Sequence, residues 1–134
     1  MTKKKILTVV PISDTYKEKL KEVSEGCEIM YSIYEDVSRE MVQEANIIIG
    51  NVPAWMIGMS KNLELLQLNS SGTDAYMGVN ILNNNTIMTS ATGAYGKAVG
   101  EHLFAMLMSI QKKLRVYRDN QNRCDWSDEG QVFL

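Results

Sequence analysis

The chain has 134 residues, 45% of them hydrophobic and 22% charged, and a formal net charge of -2 at pH 7. These values are typical of one globular domain with a single core. They exclude the basic surface that nucleic-acid binding requires, and no apolar run reaches the ~18 residues of a membrane span or has the form of a signal peptide.

Cysteine and metal-ligand patterns are weak. Cys27 and Cys124 lie far apart without a CxxC motif, and no spacing of His, Cys and Asp residues is typical of a zinc or calcium site. A core of this size needs no disulfide, so we expect reduced thiols, a cytoplasmic location and no metal.

Apolar runs predict five strands, separated by helix or turn patterns. The first run, KKKILTVVP, is continuous enough to be buried on both faces of a sheet, and CEIMYSI, NIIIGN, LELLQLN and TIMTSA follow it along the chain. The alternation of strand, helix, strand, helix and strand over such short connections predicts a parallel sheet, because parallel neighbours need crossovers and these are right-handed. The expected fold is therefore α/β, an open parallel sheet of the flavodoxin type with helices on both faces.

Two helices are predicted between the first three strands. Ser13 or Asp14 caps DTYKEKLKEVSEG, Gly26 ends it, and Ser38 opens SREMVQEA as a capping residue. Pro53 begins a turn or short helix, PAWMIGM. The apolar residues at helical spacing in the first helix are Tyr16, Leu20 and Val23.

A long helix is predicted from about Tyr95 to about Asn122. It is apolar around much of its girth, which is typical of a helix that is buried or sandwiched between two bodies. We therefore expect a flavodoxin-like substrate-binding domain at residues 1–95, and at residues 96–134 an interdomain crossover helix that leads into a dinucleotide-binding domain. The apolar residues are Val99, Leu103, Met106, Ile110 and Leu114 in one stripe, with Phe104, Leu107 and Met108 beside it.

Three loops are expected at the carboxyl ends of the strands, where open parallel sheets bind their ligands. They are GNVPAW, NSSGTDAY and SATGAYG, and they supply Val52, Ser70, Ser71 and Gly72 as candidate binding residues. SSGTDAY has more short side chains than a turn requires. It is either a plain strand-to-loop turn or a loop shaped so that a ligand can approach the backbone. The aromatic residues of these loops, which serve as rim residues or as packing, are Trp55 and Tyr95.

Two longer segments, LELLQLNSSGTDAY and TIMTSATGAYGKAVGEHLFAMLMSIQKKL, carry a resemblance to a known family. In order and spacing they resemble the N-terminal, substrate-binding part of the D-isomer-specific 2-hydroxyacid dehydrogenases. In that family a strand ends in an S-x-G-x-D or V-G-x-D loop, and a later N-x-x-G precedes a V-A-E-H helix start. The resemblance covers most of the chain, although Gly100 stands where alanine is usual before Glu-His.

The resemblance implies what the small-residue loop binds. In this family main-chain N–H groups of the loop hold the substrate carboxylate, so Ser71 and Gly72 are the expected donors. Glycine and serine suit this role because they keep bulky side chains away from the backbone. Asp74 is expected to fix the turn through its backbone bonds rather than to contact substrate. The expected ligand is a small 2-hydroxy or 2-oxo acid.

The resemblance also implies an NAD or NADP cofactor whose main site lies outside this chain. No G-x-G-x-x-G fingerprint stands between a strand and a helix, and the family's catalytic Arg, Glu and His follow the dinucleotide fold, so no catalytic residue is assigned here. Ala94 and Val99 match family positions near the nicotinamide ring, although core packing explains Val99 equally well. His102 matches a structural histidine of the family.

Two hypotheses of function follow. In the first, the chain is the substrate-binding part of an NAD(P)-dependent 2-hydroxyacid dehydrogenase, inactive alone and homodimeric through its apolar helix. In the second, it is a stand-alone flavodoxin-like binding or regulatory module. A receiver domain is the obvious form of the second. Its acidic cluster after the first strand is reduced here to a single acid, however, and Asn51 replaces its phosphoacceptor Asp.

Overall fold

A computed structural model of the chain describes residues 3–58, 60–78 and 81–130. The chain divides into two compact units, Met1–Gly93 and Ala94–Leu134. The first contains the whole sheet and the second contains two helices. The assignment of residues 96–134 as the lead into a dinucleotide-binding domain stays a prediction.

The sheet of the first unit has five strands in the order β2-β1-β3-β4-β5. Every neighbouring pair is parallel. This is the flavodoxin-like strand order, so the predicted open parallel α/β sheet is confirmed. The strands are β1 at Lys5–Thr8, β2 at Glu28–Tyr31, β3 at Ile47–Ile49, β4 at Leu65–Gln67 and β5 at Ile87–Thr89.

Three helices connect the first four strands: α1 at Asp14–Val23, α2 at Arg39–Glu44 and α3 at Ala54–Ile57. The chain moves in one direction across the sheet from β1 to β2 and in the other from β2 to β4. Right-handed crossovers therefore place α1 on one face, and α2 and α3 on the opposite face. Ser38 caps α2 as predicted, since its hydroxyl accepts the amide of Met41 at 3.3 Å.

The core lies on the α2 and α3 face of the sheet. Leu7, Ile48 and Leu66 are adjacent in register across β1, β3 and β4 and are 0% exposed. Val42 of α2 and Ile57 of α3 pack in the same cluster. Removing such side chains from water supplies the main driving force for folding, and the cluster fixes the positions of the strand ends that carry the candidate loops.

The predicted apolar face of α1 is wrong for two of its three residues. Tyr16 is 63% exposed and Val23 is 83% exposed, and no residue of α1 is buried. The residues with reduced exposure are Lys17, Leu20 and Ser24, so only Leu20 of the apolar set faces the sheet. The ring of Tyr16 instead contacts the ammonium of Lys19, 5.5 Å from its centroid.

The predicted single long helix is wrong at Lys112 and Lys113. The structure has two helices, α4 at Gly96–Gln111 and α5 at Leu114–Asn122, and Lys113 between them is left-handed with φ 51°. The segment after α5 is bonded to this region: the Lys113 ammonium donates to the Glu129 carbonyl, and Asn120 Nδ2 donates to Glu129 Oε1 at 2.9 Å. These hydrogen bonds lie beside the break between α4 and α5, where the sequence has no glycine or proline to indicate the end of a helix.

The surface of α4 is apolar but contains no buried residue. Val99 is 61%, Leu103 65% and Ile110 72% exposed. The apolar stripe predicted from the sequence is therefore present on the surface of α4, and its burial between two bodies stays a prediction.

Three further observations concern membrane-spanning helices, metal-binding groups and cysteines. None of the helices in the described part of the chain has the length and apolar content needed to cross a membrane. Within residues 3–58, 60–78 and 81–130, no group of three or more His, Cys, Asp and Glu side chains is placed to hold a metal ion. Cys27 and Cys124 are free thiols.

Candidate functional site

The loops that follow β3 and β4 meet in a cleft of about 420 Å³ at the carboxyl edge of the sheet. The cleft brings together three of the four predicted binding residues, namely Val52, Ser70 and Gly72. Its lining residues are Tyr34, Asn51, Val52, Ala54, Ser70, Gly72, Asp74, Ala75 and Tyr76. A second cleft, of about 670 Å³, is formed by residues 117–128 of the second unit, and no predicted site residue lines it.

Asn51 and Asn69 join the two loops where the strand ladder ends. Gly50 still donates a backbone bond to Gln67 at 2.8 Å. One residue further on, the Asn51 amide donates to Asn69 Oδ1 at 2.9 Å and the Asn69 amide donates to Asn51 Oδ1 at 3.1 Å. Two side chains thus continue the pairing of β3 and β4 beyond the last backbone bond.

The serines of the loop are also tied down. Ser70 Oγ accepts from Asn51 Nδ2 at 3.0 Å and donates to the Gly72 carbonyl at 2.9 Å. On the other side the Ala91 amide donates to the Ser70 carbonyl at 2.9 Å, and Ser71 Oγ donates to the Ala91 carbonyl at 3.3 Å. The loop is therefore held between the segment after β3 and the segment after β5.

Three backbone amides of this loop have no acceptor among the residues that the structure describes. Within the described ranges, the N–H groups of Ser71, Gly72 and Thr73 donate to no atom of the protein. Ser71 and Gly72 are exposed. Successive backbone N–H groups at a turn form a concave site for an anion, so the arrangement can hold a carboxylate.

The backbone conformation at position 72 does not require a glycine. Its φ lies outside the left-handed range, and a Cβ built on it would meet a single atom, Asp74 Oδ2, at 3.9 Å. Neither strain nor crowding within the protein therefore excludes a side chain here. What a side chain would occupy is the open space beside the unpaired amides.

Among the described residues that line the cleft, Asp74 alone is charged. Its carbonyl accepts the amide of Met77 at 3.3 Å, and its carboxylate makes no hydrogen bond or ion pair with any residue that the structure describes. An anion in the cleft would thus be held by neutral amide dipoles rather than by a lining cation.

Tyr76 is a buried residue that is hydrogen-bonded to the loop after β3. Its side chain is 5% exposed, and its hydroxyl donates to the Val52 carbonyl at 2.8 Å. Burial raises the pKa of Tyr76 above its ordinary value, so the hydroxyl keeps its proton and its donor role. Tyr76 therefore holds Val52 at the edge of the cleft.

Sequence reasoning did not identify the supporting residues Tyr34, Asn51 and Tyr76 as part of the site. Tyr76 belongs to the SSGTDAY segment, and an aromatic residue just after small loop residues is the signal that could have found it. Asn51 cannot act as a phosphoacceptor, since its side chain is an amide and both polar atoms are bonded. Tyr34 reaches the cleft from the segment between β2 and α2, which no local pattern indicates.

The remaining candidates lie elsewhere. Trp55 does not line the cleft; it is 56% exposed, with the Arg39 guanidinium 4.6 Å from its ring centroid. Ala94, Val99 and His102 belong to the second unit and are exposed there. Their predicted roles, cofactor contact for Ala94 and Val99 and structure for His102, stay predictions.

Comparison with known proteins gives matches in structure. No protein-family model matches the chain, and no curated protein matches it. A D-isomer specific 2-hydroxyacid dehydrogenase family protein from Aeromonas salmonicida matches with a TM-score of 0.79 at 19% identity, covering 97% of this chain and 43% of that one. The chain has the fold of this dehydrogenase over the matched region.

Two further structures support the same fold. D-lactate dehydrogenase from Aquifex aeolicus, complexed with NAD and lactic acid, matches with a TM-score of 0.68 at 21% identity, over 96% of this chain and 40% of that one. An acyclic imino acid reductase in complex with NADPH and D-Arg matches with a TM-score of 0.71 at 16% identity, over 96% and 44%. The chain thus spans between 40% and 44% of the length of these three structures, and the resemblance stated from the sequence is confirmed for the fold.

Proposed function

We propose that this chain is the substrate-binding part of an NAD(P)-dependent D-2-hydroxyacid dehydrogenase. In this proposal the backbone amides of Ser71 and Gly72 hold the carboxylate of a small 2-hydroxy or 2-oxo acid. The observation that supports it most is the run of unpaired amides beside Gly72, a glycine that neither its φ nor its surroundings require.

The bound acid would be oriented by its carboxylate, which accepts two hydrogen bonds in one plane and so fixes the direction of C2. Hydrogen bonds to a charged group contribute about 1.5–3 kcal/mol each, so two of them supply about 3–6 kcal/mol. A dissociation constant of 1 mM corresponds to about 4.1 kcal/mol. We therefore expect the isolated chain to bind such acids in the millimolar range.

The residues of this chain do not fit a dinucleotide site. Gly93, Gly96 and Gly100 lie at and beyond the end of the first unit, and their spacing of three and four differs from the two and three of G-x-G-x-x-G. In the proposal NAD or NADP binds to another part of the enzyme, which also supplies the catalytic groups. The role of this chain is to bind and orient the acid.

We therefore expect the isolated chain to have no dehydrogenase activity. Hydride transfer between a nicotinamide and C2 of the acid requires the cofactor to be held against the substrate. Purified 134-residue chain, mixed with NADH or NADPH and a series of 2-oxo acids, should give no oxidation of the cofactor. Turnover by the chain alone would contradict the assignment of the cofactor site to another part of the enzyme.

We further propose that the enzyme is cytoplasmic and homodimeric, with α4 at the contact between copies. Free Cys27 and Cys124 suit a reducing compartment. The exposed apolar face of α4 supports association, because large apolar patches are usually covered and identical patches pair about a two-fold axis. A specific dimer requires about 800 Å² from each partner.

The carboxylate role can be tested with a pair of matched ligands. Pyruvate and lactate carry the carboxylate, whereas lactamide has nearly the same shape without the charge. In ¹H–¹⁵N spectra of the chain, pyruvate and D-lactate should shift the amides of Ser71 and Gly72, and lactamide should leave them in place. Equal shifts with lactamide, or no shift with any ligand, would contradict the proposal.

A further inference from the structure

The hydrogen bonds around the unpaired amides form a chain with a fixed direction. Asn51 Oδ1 accepts the Asn69 amide, so the other side-chain atom, Nδ2, must face Ser70. A serine hydroxyl has one hydrogen. That hydrogen is donated to the Gly72 carbonyl at 2.9 Å, which leaves the hydroxyl as the acceptor of Asn51 Nδ2 at 3.0 Å.

This direction decides what Ser70 can do. With its only hydrogen donated to Gly72, the hydroxyl offers no donor to a carboxylate in the cleft. An ionised carboxylate accepts hydrogen bonds and donates none. The hydroxyl of Ser70 therefore shapes the loop, and the donors left for a ligand are backbone amides.

The same bonds orient those amides. In a trans peptide the carbonyl and the following N–H point in opposite directions. Because the Ser70 carbonyl accepts from Ala91, the Ser71 N–H points away from the segment after β5. Because the Gly72 carbonyl accepts from Ser70, the Thr73 N–H points away from Ser70. The peptide planes that contain the Ser71 and Thr73 amides are thus oriented by hydrogen bonds to Ala91 and to the Ser70 hydroxyl.

We propose that Asn51 is a positioning residue that presets the carboxylate cradle formed by residues 71–73. It joins the loop after β3 to the loop after β4 and supplies the donor that holds the hydroxyl of Ser70 in its bond to Gly72. This inference rests on the proposed function. Preorganisation of this kind improves affinity because the loop is not ordered at the moment of binding.

The size of the effect follows from the bonds lost. Asn51→Ala removes the bond to the Asn69 amide and the bond to Ser70. Each bond of this type changes an equilibrium by roughly 2- to 10-fold. We expect the dissociation constant for pyruvate to rise about tenfold, with the chain still folded.

The test compares wild type, Asn51→Ala and a matched control, Asn84→Ala, by pyruvate titration followed at the amides of residues 71–73. Asn84 lies in an exposed turn and has no side-chain bond among the described residues. Asn84→Ala should bind as wild type does. Circular dichroism of each variant checks that it is folded.

Asn51→Asp adds a readout that a purely structural residue would not give. Its carboxylate keeps an acceptor for the Asn69 amide but has no hydrogen for Ser70. Protonation restores a donor, so pyruvate binding by Asn51→Asp should improve relative to wild type as the pH falls through the carboxyl range, near 4. Wild type measured over the same pH range is the control for effects that do not involve residue 51.

The outcomes distinguish the proposed carboxylate binding from the positioning role of Asn51. Absence of binding by wild type would overturn the proposed function and the role of Asn51 with it. Wild-type binding that Asn51→Ala retains in full, together with a pH profile of Asn51→Asp identical to that of wild type, would overturn the positioning role alone. Weaker binding by Asn51→Ala with recovery of Asn51→Asp at low pH is the result that the inference predicts.

Discussion

Asn51 and Asn69 exchange hydrogen bonds, each donating its backbone amide to the side-chain oxygen of the other, at 2.9 and 3.1 Å. The pair stands two residues beyond the last register partners of β3 and β4, Ile49 and Gln67. It therefore joins the loops after β3 and β4 at the point where the two strands separate. The small-residue loop that follows is held in place before any ligand arrives.

The first prediction concerns Gly72 and uses Gly26 as its control. Gly72→Ala should leave the free energy of unfolding within about 0.5 kcal/mol of wild type, because its φ lies outside the left-handed range and, apart from the flanking residues, the added Cβ would meet only Asp74 Oδ2, at 3.9 Å. It should nevertheless abolish or strongly weaken pyruvate binding, since a methyl group would stand beside the amides. Thermal unfolding and amide-resolved titration measure the two effects.

Gly26→Ala should show the opposite behaviour. Gly26 also has open space around it, but its φ is +84°, and a left-handed alanine costs about 1–2 kcal/mol. We expect lower stability with unchanged affinity of the folded chain for pyruvate. A Gly72→Ala variant that binds pyruvate as wild type does would remove residue 72 from the site.

The second prediction concerns the support of Val52 by Tyr76. Tyr76→Phe leaves the buried Val52 carbonyl without its 2.8 Å partner, which should cost about 1–3 kcal/mol of stability. Tyr16→Phe, at a position 63% exposed, is the control and should cost almost nothing. Urea unfolding of both variants decides the matter, and equal stabilities would show that the Tyr76 hydroxyl does not hold this loop.

The third prediction is a pH dependence that follows from the same residue. Burial raises the pKa of folded Tyr76 above its ordinary 10.0, so the folded state binds its proton more tightly than the unfolded state does. The stabilisation is complete below pH 10 and is lost as the pH rises through the higher pKa of the folded chain. Melting temperatures between pH 8 and 11 should fall less steeply for Tyr76→Phe than for wild type.

The fourth prediction tests association through α4. The isolated chain should sediment as a dimer or larger at micromolar concentration, and Leu107→Glu should shift it toward the 15.1 kDa monomer because the charge enters an apolar contact. Arg115→Glu, on exposed α5, is the control for the added charge. A wild-type chain that is monomeric under these conditions would contradict the proposed dimer.

The sheet was predictable because its signal is local. Each strand is a short apolar run, and the helix patterns between the first runs favour parallel strands joined by crossovers. The register of β3 against β4 is not local, since a period-two pattern does not fix which residues stand opposite each other. The Asn51–Asn69 pair, 18 residues apart in sequence, follows from that register and could not be predicted.

Other misses have the same physical origin. Lys112 and Lys113 are good helix formers, yet neither is helical, and Lys113 is bonded to Glu129. Tyr16 and Val23 follow a helical period but lie on the exposed side of α1. By contrast, Ser70, Ser71 and Gly72 were accessible from the sequence, because their unusual density of small side chains is itself the signal.

The most direct test of the central claim is a crystal structure of the chain with pyruvate at a concentration well above its dissociation constant. We expect a carboxylate whose oxygens lie about 2.9 Å from the amide nitrogens of Ser71 and Gly72, with the Asn51–Asn69 bonds intact. Pyruvate located only in the cleft formed by residues 117–128, or an empty loop at saturating ligand, would contradict it.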